Sequence, residues 1–308
     1  MKILITGGAG FIGSNVADRY IELGHQVVVI DNLITGKREN VPSQAKFIEL
    51  DIRDSKISDV FKHEKPDIVN HHAAQMDVRK SVSDPIYDAN VNVIGGLNLL
   101  QNCVKYQVKK FIFASTGGAI YGEQDYFPAD EKHPLRPLSP YGITKLTTEK
   151  YLYFYHMTYA LNYTVLRYAN VYGPRQNPHG EAGVVAIFSE KILTDQEPVI
   201  NGDGFQTRDY VFVGDVVKAN ELALKRGENK IYNIGTGFET NVNELFQMIV
   251  KKSGRSVPEK HGEAKPGEQL RSVLDYSFIK SELNWEPTTD LADGIARTVE
   301  FFKSKYEK

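Results

Sequence analysis

Three groups of residues could carry chemistry by type and spacing. Gly7, Gly10 and Gly13 form a G-x-x-G-x-x-G run between an apolar stretch, Ile3–Thr6, and a helical pattern opening at Phe11. Glycines there allow a tight turn and a close backbone approach to a pyrophosphate, and the helix adds N–H groups and its positive dipole end. The strand-loop-helix context is what gives the run its meaning as a dinucleotide site. Tyr141 and Lys145 stand four apart behind the helix-start signal Ser139-Pro140. On a helix they share a face, and a lysine beside a tyrosine favours its phenolate, a base for an alcohol proton. Ser115 and Thr116 are adjacent hydroxyls where an apolar run ends, about 25 residues upstream. Either could bond the same substrate oxygen, or simply cap the strand end.

The chain has two further Tyr-x-x-x-Lys pairs. Tyr106/Lys110 runs off a helix end into a strand, and Tyr276/Lys280 is remote from the glycine loop. With 17 tyrosines such pairs arise by chance. Asp31 ends the second apolar run, where a carboxylate can bond adenosine ribose hydroxyls and repel a 2′-phosphate. That points to NAD, although Lys37 and Arg38 are close in sequence and Asp31-Asn32 also reads as a turn. Asp51 and Ile52 follow the third run and can frame an adenine.

These groups need elements to position them. Ile3–Thr6, Val27–Asp31, Lys46–Leu50, Asp67–Asn70, Lys110–Ser115 and Tyr163–Tyr168 read as strands; Phe11–Leu23, Ser55–His63, Ile86–Tyr106 and Ser139–Leu161 read as helices. The alternation predicts an α/β fold, a Rossmann-type doubly wound parallel sheet. After Asn170 a long Gly/Pro loop, 173–180, breaks the rhythm. Val184–Thr194 is a helix, Pro198–Asn201 a short strand, and Tyr210–Val213 and Ile231–Ile234 are strands able to rejoin the main sheet. Asn243–Ser253 and Leu291–Lys303 are amphipathic helices. The expected division is a dinucleotide domain, 1–170 plus about 211–235, and a smaller discontinuous C-terminal substrate lobe, 171–210 and 236–308.

Composition sets the outer bounds. The 308 residues are 41% hydrophobic and 25% charged, with a net charge of −2 and no run of like charges. Neither a nucleic-acid surface nor a membrane span is indicated. Cys103 is the only cysteine and sits in a core-like apolar pattern, so intrachain disulfides and cysteine metal sites are excluded. The opening apolar run is too short for a signal peptide and is interrupted by glycines, and a cytoplasmic setting is expected. His71-His72 reads as strand-end packing, since no second cluster has ligand spacing, and no metal is expected.

With these segments in view, the chain resembles the extended short-chain dehydrogenase/reductases, and among them the UDP-glucose 4-epimerases in their compact bacterial and archaeal form. The resemblance runs nearly end to end. It rests on Thr6–Ser14, Asp31-Asn32-Leu33, Ser115–Gly122, Pro140–Lys145, Leu166–Arg175 and Arg208–Val211. It implies that Thr116, Tyr141 and Lys145 are the catalytic trio. It also implies an NAD-facing set: Gly7, Gly10, Phe11, Ile12, Gly13, Asp31, Asn32, Gly36, Asp51, Ile52, Ala73, Ala74, Gln75, Asn92, Ser115, Tyr141, Lys145 and Tyr168. Asn170, Val184 and Arg208 match the nucleotide-sugar site, where an arginine fork suits a diphosphate; for Arg208-Asp209 a local ion pair is the other reading. The family's Arg-Pro-Gly-Asp/Glu contact is here Lys265-Pro266-Gly267-Glu268, which keeps the charge and loses the fork, so Glu268 and Arg271 join Lys265 as candidates. Ser272 falls at the gate that can admit an N-acetyl group.

Relatives that dehydrate the sugar carry Asp-Glu after the catalytic threonine, and decarboxylases carry a Glu in the same stretch; here Gly117-Gly118 follow. The resemblance therefore implies an isomerase that inverts C4 of a UDP-hexose through a transient 4-ketose. UDP-N-acetylhexosamine or UDP-glucuronate epimerisation, a dehydratase or reductase, and a non-catalytic NAD-binding module remain alternatives. The expected partners are a UDP-sugar and a second copy of the chain, docked through the tyrosine-rich helix and the one near Asn92–Cys103.

Overall fold

The computed structural model describes residues 1–179, 183–264 and 269–306. Its first half alternates as expected: β1 (Lys2–Thr6), α1 (Phe11–Glu22), β2 (Gln26–Asp31), β3 (Lys46–Glu49), α2 (Ile57–Glu64) and β4 (Ile68–His71). Then come α3 (Val78–Ser83), α4 (Pro85–Ala89), α5 (Gly95–Lys105), β5 (Lys110–Thr116), α6 (Gly117–Ile120), α7 (Pro140–Tyr159) and β6 (Asn162–Tyr168). The second half holds β7 (Asn170–Tyr172), α8 (Val184–Leu193), β8 (Ile200–Asn201), β9 (Thr207–Arg208), β10 (Tyr210–Phe212), α9 (Val213–Ala223) and β11 (Lys230–Ile234). It ends with β12 (Thr240–Asn241), α10 (Val242–Ser253), β13 (His261–Gly262), β14 (Arg271–Ser272), α11 (Ser277–Leu283) and α12 (Leu291–Tyr306).

Seven strands form one parallel sheet in the order β11-β6-β5-β4-β1-β2-β3. The strands are apolar on both faces, as helices on both sides require. Along β1 the period of two divides the core: Ile3 and Ile5 pack with Val16, Ala17 and Tyr20 of α1, while Leu4 packs with Ile57, Leu99 and Leu152 of α2, α5 and α7. Cys103 is fully buried in the second of these clusters, as its pattern predicted. The strand order reverses between β1 and β4, and ligands bind such sheets at the carboxyl ends flanking that point.

Two expectations change. Tyr210–Val213 does not rejoin the main sheet: β10 pairs in parallel with β7, Tyr210 opposite Asn170, in a separate ribbon. β11 takes the place beside β6, as the other expected strand. The helix expected over 86–106 is interrupted by a π-turn at Asn90–Ile94. The pattern reading also gave no helix for Val78–Ser83, Val213–Ala223 or Ser277–Leu283.

A further apolar cluster joins α8, α10 and α12 around Phe188, Phe246 and Phe302. By contrast, Ile279, Leu283 and Trp285 pack on the main sheet, with the Trp285 indole donating to Asp215 O.

Candidate active site

A cavity of about 370 Å³ opens at the carboxyl ends of the strands, lined by the glycine loop, the β2 end, the segment after β4 and the β5–α7 pair. Gly7 turns with φ +70°, and a Cβ on it would stand 2.6 Å from Ala73 N. A Cβ on Gly13 would stand 2.3 Å from Gly7 O. The glycines are thus needed both for the turn and for the helix's approach to the strand. Asp31 accepts from Ala9 N (3.0 Å) and Leu33 N (2.8 Å), so it braces the loop as a turn residue and also lines the cavity. Burial raises its carboxyl, and the two N–H groups oppose that. Asn32 donates to Asp51, which Arg53 clasps and holds well below the usual carboxylate range. This set of backbone donors, a ribose-reach carboxylate and small residues fits a dinucleotide.

Of the expected cofactor residues, Gly7, Gly10, Phe11, Ile12, Gly13, Asp31, Asn32, Gly36, Asp51, Ile52, Ala73, Ala74, Gln75, Ser115, Tyr141, Lys145 and Tyr168 line this cavity. Asn92 is the correction. It lies behind the wall, exchanging bonds with Gln75 (2.9 Å each way) and donating to Asp88 and Thr144. The π-turn carries it there, so it shapes the Gln75 segment and does not line the cavity.

Ser139 caps α7, accepting from Gly142 N at 3.2 Å, and Pro140 opens the helix. Tyr141 therefore stands in the first turn, with the Lys145 ammonium 5.8 Å from its ring centroid. Lys145 Nζ donates to Ala114 O at 2.9 Å and lies 4.9 Å from the Phe113 ring centre. Burial pushes this lysine down to about 8, while Asp88 and Glu149 pull it back up. The two adjacent hydroxyls separate clearly. Ser115 donates its one proton to Glu149 at 2.6 Å, whereas Thr116, at the start of α6, makes no capping bond.

The cavity lining also includes residues that were not among the expected site residues, His72, Met76, Asp77, Lys80, Tyr87 and His179 among them. The histidine pair divides. His71 is core, bonded to Thr6 Oγ1 and flanked by Phe111 and Phe113. His72 faces the site, stacked on Tyr168, and burial lowers it to about 3, so it is neutral. Its Nδ1 is buried without a protein partner. The alternation along β4 was the available signal. Among the described residues no His/Cys/Asp/Glu group could hold a metal.

On the substrate side, a Cβ built on Gly118 would lie 3.7 Å from Asn170 Oδ1 and 3.9 Å from Thr116 Oγ1, which brings these two groups together. Arg208 sits in β9 between β12 and β14 and donates to Thr207 O. Asp209 turns inward to Thr236, Gly237 and Leu274. Arg271 grips Glu239 and covers the Phe127 ring. Val184 opens α8. None of Thr116, Asn170, Val184, Arg208 and Arg271 lines the dinucleotide cavity. Lys265 and Glu268 lie outside the described residues.

The profile of the NAD dependent epimerase/dehydratase family matches residues 3–235. A putative UDP-glucose 4-epimerase of Methanocaldococcus jannaschii is 48% identical over 302 residues, covering 98% of both chains. Among solved structures, a UDP-glucose 4-epimerase of Thermotoga maritima with UDP-glucose superposes with a TM-score of 0.97 at 51% identity over 99% of each chain. A UDP-glucose 4-epimerase of Thermus thermophilus in complex with NAD gives 0.94 at 45% identity over 98% of this chain and 99% of that one.

Proposed function

Because this chain belongs to the NAD dependent epimerase/dehydratase family, we propose that it is an NAD-dependent UDP-hexose 4-epimerase, an isomerase that interconverts UDP-glucose and UDP-galactose. The observation that carries the reading is the Tyr141–Lys145 pair opening on a dinucleotide cavity, with glycines after Thr116 in place of an acid and a base. Gly117 faces Leu274, 2.4 Å from where its Cβ would be, and Gly118 faces Asn170 Oδ1 and Thr116 Oγ1 at ordinary contact distance. No carboxylate stands there for an elimination at the neighbouring sugar carbons.

In the mechanism this supports, Tyr141 takes the proton of the sugar 4-hydroxyl and later returns it. Lys145 supplies the positive charge that favours the phenolate, helped by the α7 N-terminus. Thr116 bonds the same sugar oxygen. The chemistry that bound NAD would supply is reversible acceptance of the C4 hydrogen as a hydride, with the residues lining the cavity holding the dinucleotide. Asn170, Val184 and Arg208 hold the nucleotide diphosphate and leave the hexose free to turn, so the transient 4-ketose presents its other face. Glu268 is the candidate for the uridine ribose, with Lys265 or, in its stead, Arg271 as the accompanying cation. Ser272, opposite Arg208 in the β9–β14 ladder, is small, which makes UDP-N-acetylhexosamines a second substrate class to assay.

The dinucleotide domain is taken as 1–170 plus about 211–235 and the sugar-nucleotide lobe as 171–210 and 236–308. A homodimer through α5 and α7 fits the apolar surface of α7, where Ile143, Tyr151 and Phe154 lie on one exposed stripe. No described helix is long and apolar enough to cross a membrane, and a cytoplasmic site suits the lone buried thiol.

The test is to incubate the purified protein with UDP-galactose without added cofactor and chromatograph the sugar nucleotides. UDP-glucose is the expected product. UDP-galactose left unchanged, even after NAD is added, would overturn the proposal.

A further inference from the structure

Directly below the Tyr141–Lys145 pair lies an ion pair with no part in the mechanism above. Glu149 follows Lys145 by one helical turn on the same face of α7. Arg167, paired with Ser115 across the β5–β6 ladder, grips Glu149 with two bonds, Nε to Oε1 at 3.0 Å and Nη2 to Oε2 at 2.6 Å. Both side chains are almost wholly buried, 3% and 2% exposed. The remaining acceptor capacity of Glu149 takes the Ser115 hydroxyl at 2.6 Å. Arg167 Nη1 donates to the Tyr121 hydroxyl at 2.9 Å, and that hydroxyl donates to Asn233 Oδ1 at 2.7 Å.

A buried ion pair is a poor device for stability, because apolar residues of similar size commonly serve as well. Its position accounts for it better. It ties the strand end bearing Ala114, Ser115 and Thr116 to the helix bearing Tyr141 and Lys145. Ala114 O receives the Lys145 ammonium, so the same strand end sets both the lysine and the hydroxyls.

We propose that Glu149 and Arg167 are positioning residues of the epimerase site: they hold the Ser115 hydroxyl away from the sugar, leaving Thr116 to meet it, and they keep a carboxylate one turn from the Lys145 ammonium. This rests on the epimerase reading. The charged and titratable groups around Lys145 are few. Asp88 faces it from α4, Glu149 from its own helix with Arg167 of β6 behind, Tyr141 from the first turn, and His71 and His72 from the end of β4. Both histidines are held neutral by burial, so Asp88 and Glu149 are the two groups that sustain the ammonium against its own burial.

The experiment compares wild type, Glu149→Gln and Glu149→Asp, each purified as it comes with its cofactor, by kcat and KM for UDP-galactose across pH 6–10, with bound NAD and melting temperature measured alongside. Lys145 acts while protonated, so wild-type kcat falls as pH rises through about 8. In Glu149→Gln that alkaline limb moves down by roughly one pH unit, about tenfold in kcat above it, with KM little changed and NAD still bound. Glu149→Asp, which keeps the charge, moves the limb back. A folded, NAD-loaded Glu149→Gln enzyme with the wild-type limb and wild-type kcat would overturn the proposal and leave the epimerase reading intact, whereas an inactive wild type would remove that reading itself. If Glu149→Gln does not fold, because it strands a buried guanidinium, the double variant Glu149→Gln/Arg167→Met removes both charges. The limb then moves in the same direction, and an unmoved limb is again the overturning result.

Discussion

At the residue scale, the site depends on small distinctions between neighbours. Ser115 and Thr116 are adjacent hydroxyls of nearly the same chemistry, and a bond to Glu149 distinguishes Ser115, which is the basis of the different roles proposed for them. Tyr141 and Lys145 were legible because their spacing and the Ser139-Pro140 start signal are both local. Replacing Tyr141 by Phe removes only the proton carrier. We expect turnover to fall by about 10²–10⁴-fold while NAD, released by acid and measured enzymatically, stays at the wild-type amount. Activity near wild type in that variant would remove Tyr141 from its role. Thr116→Ala should lose more kcat than Ser115→Ala; the reverse order would show that Ser115 meets the sugar.

At the element scale, α1 and its loop carry the cofactor end of the site. The helix can come this close to β1 only because position 13 has no side chain: a Cβ there meets the Gly7 carbonyl at 2.3 Å and Gly8 Cα at 3.0 Å, and both are backbone. Gly13→Ala must therefore push the helix off the strand. Its expected cost is about 1–3 kcal/mol of stability in urea unfolding, together with loss of bound NAD. Gly10→Ala, whose nearest contact is 3.2 Å, should be milder on both measures. Equal effects from the two would mean that close packing is not what position 13 provides. The π-turn at Asn90–Ile94 is the contrasting element. Its apolar spacing reads as plain helix, and only the bonds from Asn92 to Gln75, 17 residues away, show why the turn widens there.

At the scale of the whole molecule, the exposed apolar stripe on α7 is the surface on which the proposed dimer rests. Ile143 is 51% and Phe154 48% exposed, one on each side of Tyr151 along the helix. Covering it with a second copy buries the same patch twice under twofold symmetry. Phe154→Glu should dissociate the dimer, seen as a halved mass in sedimentation at micromolar concentration, and should leave bound NAD in place because the residue does not line the cavity. A wild-type protein already monomeric at that concentration would remove the proposed interface.

The chain's local patterns determined the parallel sheet, the glycine loop, the capped start of α7 and the Tyr141–Lys145 spacing. Each depends on residues within about one or two turns of one another, where side-chain periodicity and backbone preference act directly. The tertiary structure alone decided which hydroxyl is bound to Glu149, which histidine faces the cavity, where Asn92 points and that β10 pairs with β7. Those outcomes depend on partners brought together through space: Ser115 with Glu149 34 residues on, Tyr168 with His72 96 residues back, and β10 with β7. A hydrogen bond or a strand edge has no sequence signature until folding has placed both sides of it.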